Sequence, residues 1–122
     1  MSTYKLSEPE NETKITSYKL EMNKTNIALL NETWFQKGDK QLKGMLESIE
    51  MKDNIHFLRR DRNSRGGGVA IAFDRSKAEF KKVRLESLRG KDLEIVAAAG
   101  KLTGIKKNHV LVSIYLPPMH RS

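Results

Sequence analysis

The sequence predicts an α+β domain in which helices cover a sheet. The patterns along the chain run in the order helix, strand, helix and then several strands, which is typical of α+β layers. Of the 122 residues, 38% are apolar, so the chain can bury one small core with a thin stability margin. We find no internal repeat, low-complexity tract or linker, and we therefore treat residues 1–122 as one domain.

Two segments have the periodicity of amphipathic helices. The first, residues 8–24, has Ser7 and Glu10 at the spacing of a capping box and Pro9 in its first turn. Its apolar stripe consists of Ile15, Tyr18 and Met22. The second, residues 39–50, has Asp39 as its N-cap. Its stripe consists of Leu42, Met45, Leu46 and Ile49.

The strand patterns begin between these helices and fill the rest of the chain. Residues 27–30 form a continuous apolar run, which predicts a strand buried on both faces. Residues 55–58 and 69–73 are joined by a polar turn and three glycines, which predicts a hairpin. Weaker strand patterns follow at 80–85 and 93–98. A strong β-branched run at 110–115 ends before Pro117-Pro118, because proline cannot donate to a sheet ladder.

The composition excludes several classes of protein. The chain has no cysteine, which rules out disulfides and thiol catalysis and fits an intracellular, reducing compartment. No apolar run reaches the roughly 20 residues that cross a bilayer, and the first seven residues lack the pattern of a signal peptide. The three histidines are scattered without metal-ligand spacing, and a Ser-His-Asp triad has no support.

Positive charge is concentrated in the later part of the chain. The formal net charge is +8, with −1 over residues 1–35 and +9 over residues 36–122. A polyanion such as nucleic acid is a natural partner for the basic segment. A basic surface without a dedicated partner explains the charge equally well.

Three segments together resemble one family. They are Asn26-Ile-Ala-Leu-Leu-Asn-Glu-Thr-Trp34, Leu58-Arg-Arg-Asp-Arg-Asn-Ser-Arg-Gly-Gly-Gly-Val-Ala-Ile-Ala72 and Val112-Ser-Ile-Tyr-Leu-Pro-Pro118. In this order and spacing, over roughly residues 14–118, they resemble the endonuclease domain of non-LTR (LINE-type) retrotransposons. That domain belongs to the endonuclease/exonuclease/phosphatase superfamily, which includes deoxyribonuclease I. The resemblance implies a four-layer α/β sandwich and magnesium-dependent cleavage of DNA.

The resemblance assigns roles to two residues. Glu32, at the end of a strand, would be the glutamate that binds magnesium, since phosphodiester cleavage needs a hard cation held by a carboxylate. Tyr115 would lie in the active site and contact the phosphate, because a phenol can donate to a phosphoryl oxygen. The structural alternatives are a surface carboxylate at a strand end and a half-buried strand tyrosine.

The polar turn carries four arginines whose guanidinium groups could bind a DNA backbone, namely Arg59, Arg60, Arg62 and Arg65. A solvated charged turn without a partner is equally consistent with the sequence. The glycines that follow serve tight turning, and no Lys-Ser/Thr pair follows them as in a P-loop. Trp34 could stack on a base, although packing against the strand ends is the more common role.

The sequence also departs from the family. Asn11 is the only asparagine near the first metal-site position, and its neighbours do not match, so we assign it no role. The family's Gly-Asp-Phe-Asn and Ser-Asp-His segments do not occur in the 122 residues. We therefore expect an incomplete domain, a partial sandwich truncated after the strand that ends at Tyr115. We also expect no efficient cleavage by this chain alone, because hydrolysis needs an activated water.

Three hypotheses follow from these patterns. The chain is an inactive fragment of a retrotransposon endonuclease, or it is active when a C-terminal half from the same element is supplied. Alternatively, it is a small basic nucleic-acid-binding module without catalysis. The second and third hypotheses place DNA or another nucleic acid as the partner, whereas absence of folding and of binding would favour the first, and a nuclear location is inferred only from the expected DNA substrate. An incomplete sandwich would also leave a sheet face and a strand edge uncovered, which favours association.

Overall fold

The computed structural model describes residues 10–61, 67–84 and 94–115. Within these ranges, two helices and six strands form a mixed α+β structure, which confirms the predicted fold class at this level. The elements are α1 (Asn11–Met22), β1 (Ile27–Asn31), α2 (Lys40–Asp53), β2 (Ile55–Arg60), β3 (Val69–Asp74), β4 (Ala78–Val83), β5 (Glu94–Leu102) and β6 (His109–Tyr115). The first sheet has the order β1-β3-β2 and the second β4-β5-β6, and every pairing is antiparallel.

Helix α2 begins at its predicted cap, whereas α1 begins without a side-chain cap. In α2 the Asp39 carboxylate accepts a hydrogen bond from the Leu42 amide at 3.0 Å, so the predicted N-cap is confirmed. Helix α1 begins at Asn11, with Glu10 at the N-cap position and no side-chain capping bond. The capping box predicted from Ser7, and the role of Pro9, lie outside the described residues. The helical periodicity nevertheless predicted both helices to within a few residues.

The prediction that β1 is buried on both faces is wrong. Leu29 in its middle is 51% exposed, whereas Ala28 is buried. Leu29 is exposed because β1 lies at the edge of the first sheet, where the face opposite the helices is only partly covered. The strand buried on both faces is the central one, β3, in which residues 69–73 are all buried.

The core has two parts, one on each face of β3. Ala70 and Ala72 face the helices and pack in a cluster with side chains of α1, α2 and β2. Val69, Ile71 and Phe73 face the second sheet and pack with Phe80 and other side chains of β4 and β5. This alternation follows from the two-residue period of a strand. The described residues therefore stack as a helix layer, a first sheet and a second sheet.

The predicted hairpin is present as the antiparallel pair β2 and β3, in which Arg60 pairs with Val69. The strands predicted at 80–85, 93–98 and 110–115 correspond to β4, β5 and β6. Residues 85–93 and those after Tyr115 lie outside the described part, including Pro117 and Pro118. No helix in the described ranges is both long enough and apolar enough to cross a membrane.

Candidate functional site at the strand ends

The ends of the strands bring the candidate residues to one end of the molecule. In the first sheet Asn31 pairs with Val69, which also pairs with Arg60, so these three positions form one row. Glu32 follows Asn31, and Asp61 follows Arg60. We call this end of the two sheets the strand-end site.

In the second sheet Glu94 pairs with Tyr115. Tyr115 contacts Glu32 directly, because its hydroxyl donates to Glu32 Oε1 at 3.1 Å. The two residues are 83 positions apart in the chain and belong to different sheets. The Glu32 carboxylate is exposed to solvent and Tyr115 is half-buried. The structure thus brings together the two residues that the resemblance singled out.

Two further hydrogen bonds join the sheets at the same end. The buried Ser113 hydroxyl of β6 donates to the Leu30 carbonyl of β1 at 2.8 Å. The Gly68 amide at the start of β3 donates to Glu94 Oε1 at 2.6 Å. Together with the Tyr115–Glu32 bond, they fix the relative position of β1, β3, β5 and β6 where the candidate residues lie.

The backbone that carries Glu32 is held by the glycine segment. The Thr33 amide donates to the Gly68 carbonyl at 3.2 Å, and the Trp34 amide donates to the Gly67 carbonyl at 2.8 Å. Glu32 and Trp34 both adopt left-handed backbone conformations, with φ of 51° and 59°. A left-handed conformation costs a non-glycine residue about 1–2 kcal/mol, and such strain is concentrated at functional sites. Thr33 is buried beneath this backbone.

A buried lysine supports the same segment from α1. Lys14 is only 6% exposed, and its ammonium group donates to the Trp34 carbonyl at 3.2 Å. The same Nζ lies 5.2 Å from the centre of the Phe35 ring, within the range of a cation–π interaction. Phe35 is fully buried and forms edge-to-face contacts with Tyr18 and Phe57. The first helix therefore anchors the residues that follow Glu32.

Trp34 borders an open polar cleft of about 540 Å³. The other lining residues are Glu10, Asn11, Glu12, Gln36, Asp39 and Gln41. Asn11 lies at the start of α1, where its amide donates to the Asp39 carboxylate at 2.9 Å. Trp34 is half-buried, so the structure accommodates both the packing role and a stacking role.

Positive charge surrounds Asp61, the carboxylate that follows β2 at the same end of the sheet as Glu32. Arg59 Nη1 lies 3.4 Å from Asp61 Oδ2, and the Lys82 ammonium donates to the Arg59 carbonyl at 2.7 Å. Burial raises the pKa of Asp61, while the positive charges of Arg59, Lys82 and Lys37 act in the opposite direction. Burial lowers the pKa of Lys82, and nearby Arg60, Arg59 and Lys37 lower it further. We call these four cations, Lys37, Arg59, Arg60 and Lys82, the basic cluster.

Arg60 and Glu32 lie two strands apart, which is about 10 Å at the usual strand spacing. DNA rises about 3.4 Å per nucleotide along each strand, so a DNA backbone could reach both. The other two predicted arginines, Arg62 and Arg65, lie outside the described residues. The basic cluster therefore rests on two of the four predicted arginines and on two lysines that the sequence did not indicate.

The chemistry of the strand-end site fits a weakly held hard cation. In residues 10–61, 67–84 and 94–115, no three His, Cys, Asp or Glu side chains are grouped closely enough to form a metal cage. Magnesium, however, is commonly held by one or two carboxylates together with waters and substrate phosphates. An exposed strand-end carboxylate such as Glu32 suits this mode. His56 and His109 pair with Phe73 and Gly100, at the opposite ends of their sheets.

Besides Lys37 and Lys82 of the basic cluster, three residues that support the strand-end site were not found from the sequence. Ser113 carried a signal, since it is the one polar residue in a β-branched run. Glu94 and Lys14 gave no signal in the sequence, because each acts through a hydrogen bond to the backbone of a distant residue. The partners, Gly68 and Trp34, lie 26 and 20 positions away in the chain.

The fold and the site define a mixed α+β protein with a carboxylate–phenol pair and a basic cluster at one end of two stacked sheets. Comparisons of the chain with protein-family models, curated proteins and solved structures found no match.

Proposed function

We propose that the chain forms part of a magnesium-dependent DNA endonuclease domain, related to those of non-LTR retrotransposons in the endonuclease/exonuclease/phosphatase superfamily. The observation that carries this proposal is the 3.1 Å hydrogen bond between Tyr115 and Glu32. These residues come from two separate sequence segments that resemble the family, and the resemblance places both in one active site.

The layering of the molecule supports the same proposal. The helix layer, the first sheet and the second sheet would correspond to three layers of the four-layer sandwich. The strained backbone at Glu32 and Trp34 adds support, because strain of this kind persists where surrounding structure holds a side chain for a purpose.

Each residue of the strand-end site has a defined part in the proposed chemistry. Glu32 would hold magnesium, which when bound offsets the charge that develops on the phosphoryl oxygens. Tyr115 orients the Glu32 carboxylate through its hydroxyl proton. In a complex with DNA, the Tyr115 hydroxyl would donate to a phosphoryl oxygen beside the carboxylate that would hold the cation.

The basic cluster would bind the DNA backbone beside this carboxylate. Burial lowers the pKa of Lys82, and the positive charges of Arg60, Arg59 and Lys37 add to this effect while Asp61 opposes it, so the cations of the cluster repel one another. A bound phosphate would relieve this repulsion and release counterions.

These residues bind and polarise a phosphodiester, but they do not activate the water that attacks it. The family's Gly-Asp-Phe-Asn and Ser-Asp-His segments are not in the 122-residue sequence. We therefore propose that efficient cleavage requires these groups from a further segment of the same element.

The second candidate is a nucleic-acid-binding module without catalysis. The basic cluster favours it, because its four cations carry more positive charge than the single Asp61 carboxylate among them and would bind a phosphate backbone without any metal.

Binding of labelled duplex DNA, measured with Mg²⁺ and with EDTA, separates the two candidates. We expect Mg²⁺ to tighten binding by the unaltered chain, and we expect Glu32→Gln to remove this effect. The matched control is Glu79→Gln, which changes an exposed carboxylate at the opposite end of the second sheet. Binding that is equally strong in EDTA and insensitive to Glu32→Gln would favour the binding module. Absence of binding under both conditions would refute both candidates.

A further inference from the structure

We propose that Glu94 is a positioning residue, whose carboxylate holds the Gly67–Gly68 backbone and thereby fixes the Glu32 carboxylate beside Tyr115. This inference rests on the proposed function only where it concerns cation binding by Glu32. The positioning itself is a property of the protein without any metal.

The first step is the bond between Glu94 and the glycine segment. Glu94 Oε1 accepts from the buried Gly68 amide at 2.6 Å, a length typical of strong hydrogen bonds to an ionised acceptor. The bond joins residues 26 positions apart and crosses from the second sheet to the first.

The second step runs from the glycine segment to Glu32. The Gly68 and Gly67 carbonyls accept from the amides of Thr33 and Trp34, the two residues that follow Glu32. Gly68 adopts a left-handed conformation with φ of 88°, and a Cβ there would overlap the Thr33 hydroxyl oxygen. The two segments are thus in close contact, and any shift of the glycine backbone moves the backbone next to Glu32.

The third step connects Glu94 to Glu32 by a second route, through Tyr115 in the second sheet. Glu94 pairs with Tyr115 across β5 and β6, and Tyr115 donates to Glu32. These two paired residues therefore hold Glu32 in two ways. Glu94 holds the glycine backbone that contacts the residues after Glu32, and Tyr115 holds the Glu32 side chain itself. Loss of Glu94 would leave the Tyr115 bond to Glu32 intact but remove the side chain that holds the glycine segment from the second sheet.

This role differs from that of a second metal ligand. A positioning carboxylate at Glu94 works by accepting the hydrogen bond from the Gly68 amide, which a glutamine side-chain oxygen can also accept. A ligand works by its negative charge, which glutamine lacks. The variants Glu94→Gln and Glu94→Ala therefore give different results under the two roles.

The primary test uses the full chain without metal. Amide hydrogen exchange at Thr33 and Trp34, followed by NMR, reports the bonds to the glycine segment, and fluorescence of Trp34, the only tryptophan, reports its surroundings. We expect Glu94→Ala to speed exchange at both amides about tenfold and to alter the emission of Trp34. We expect Glu94→Gln to restore exchange to near the rate in the unaltered chain. Glu79→Ala is the control for loss of a strand carboxylate.

The second readout is the affinity for Mn²⁺ as a probe of the cation site. We expect Glu94→Ala to weaken Mn²⁺ binding about tenfold, as for other residues that orient a metal ligand, and Glu94→Gln to weaken it little. Unchanged exchange in Glu94→Ala would overturn the proposal. Equal loss of Mn²⁺ affinity in Glu94→Gln and Glu94→Ala, with normal exchange in Glu94→Gln, would make Glu94 a ligand and also overturn it.

The two proposals fail separately. If the unaltered chain binds no Mn²⁺ but Glu94→Ala speeds exchange and Glu94→Gln restores it, the proposed function fails and the positioning role stands. If Glu94→Ala does not fold by circular dichroism, Glu94→Asp replaces it, since its side chain is one methylene too short to keep the bond. Normal exchange in a folded Glu94→Asp would then overturn the proposal.

Discussion

Glu32 occupies its position at an energetic cost that the rest of the strand-end site must offset. Its left-handed backbone, followed by a second left-handed residue at Trp34, is unfavourable for side chains with a Cβ. Burial of Thr33 and Phe35 offsets the cost, as do the two backbone bonds to the glycine segment. The side chains alternate between the core and the surface, and this leaves Glu32 exposed and Phe35 anchored.

Gly68 is the residue whose substitution tests this arrangement most simply. We expect Gly68→Ala to lower the free energy of unfolding by about 2–4 kcal/mol, because it adds both a left-handed strain and an overlap with Thr33. Gly38→Ala is the matched control, since Gly38 also has a left-handed φ, of 77°, but has open space around it. We expect it to cost about 1 kcal/mol by urea unfolding. Equal costs for the two variants would mean that the close contact with Thr33 has no energetic importance.

At the scale of elements, the capping residue Asp39 determines where helix α2 begins. Asp39 precedes the apolar stripe and accepts from the Leu42 amide, so one side chain satisfies a free amide of the first turn. The hydrogen bond from this backbone amide, and then the one from the Asn11 side chain, hold the pKa of Asp39 below its ordinary value. Because the pKa of Asp39 is lower in the folded state, the ionised carboxylate stabilises the fold at pH values above the unfolded-state pKa. This stabilisation is lost as the pH falls through the folded-state pKa.

We expect Asp39→Ala to lower the free energy of unfolding by about 1 kcal/mol at pH 7. Because Asp39 is only half-buried, solvent screens its charge and the electrostatic part is small, and the cost should shrink as the pH falls below the ordinary aspartate value of 3.8. Thermal unfolding of both chains between pH 3 and pH 7 measures this. Glu47→Ala, an exposed change within α2, is the control. A cost that grows toward low pH would contradict this account of the cap.

The basic cluster is an element-scale feature because it depends on the ends of β2 and β4 meeting. We expect Arg60→Gln to weaken DNA binding and to reduce the slope of log K against log salt by about 1, as for loss of one phosphate contact. Lys101→Gln, an exposed change at the other end of the second sheet, should leave the slope unchanged. Equal effects of the two variants would indicate nonspecific attraction by net charge alone.

The sequence predicted the positions of helices and strands better than it predicted their burial and long-range contacts. The periodicity of α2, its cap and the hairpin of β2 and β3 are local patterns, and each is confirmed. The two-sided burial predicted for β1 is wrong, since an apolar run does not reveal whether a strand is central or at an edge. Glu94 was missed because its hydrogen bond to the glycine segment is with a backbone amide 26 residues away in the chain. Glu32 and Tyr115 were found through the resemblance and not through periodicity.

At the scale of the whole molecule, the second sheet has two unlike faces. One packs against β3, while the other exposes apolar side chains of β6, with Val110 at 65% and Ile114 at 47% exposure. Adjacent on the same face lie Ile95 and Ala99, their partners on β5. Apolar side chains exposed on a strand face favour association of copies.

We expect the chain to associate as its concentration rises, and we expect the double change Val110→Thr and Ile114→Thr to suppress this. Threonine keeps a high strand propensity, so thermal stability should be little changed. Sedimentation velocity over a range of concentrations measures association. Leu20→Thr, an exposed change on α1, is the control. A monomeric chain at every concentration would contradict the expectation.

The central claim is that Glu32 and Tyr115 form one cation-binding site at the strand ends. The most direct measurement is paramagnetic broadening of amide NMR signals by substoichiometric Mn²⁺, in the unaltered chain and in Glu32→Gln. We expect the signals of Glu32, Thr33, Gly68 and Tyr115 to broaden first and those of Gly38 and Lys101 to remain sharp, with all broadening at the strand ends lost in Glu32→Gln. Broadening centred elsewhere, or broadening at the strand ends that persists in Glu32→Gln, would contradict the claim.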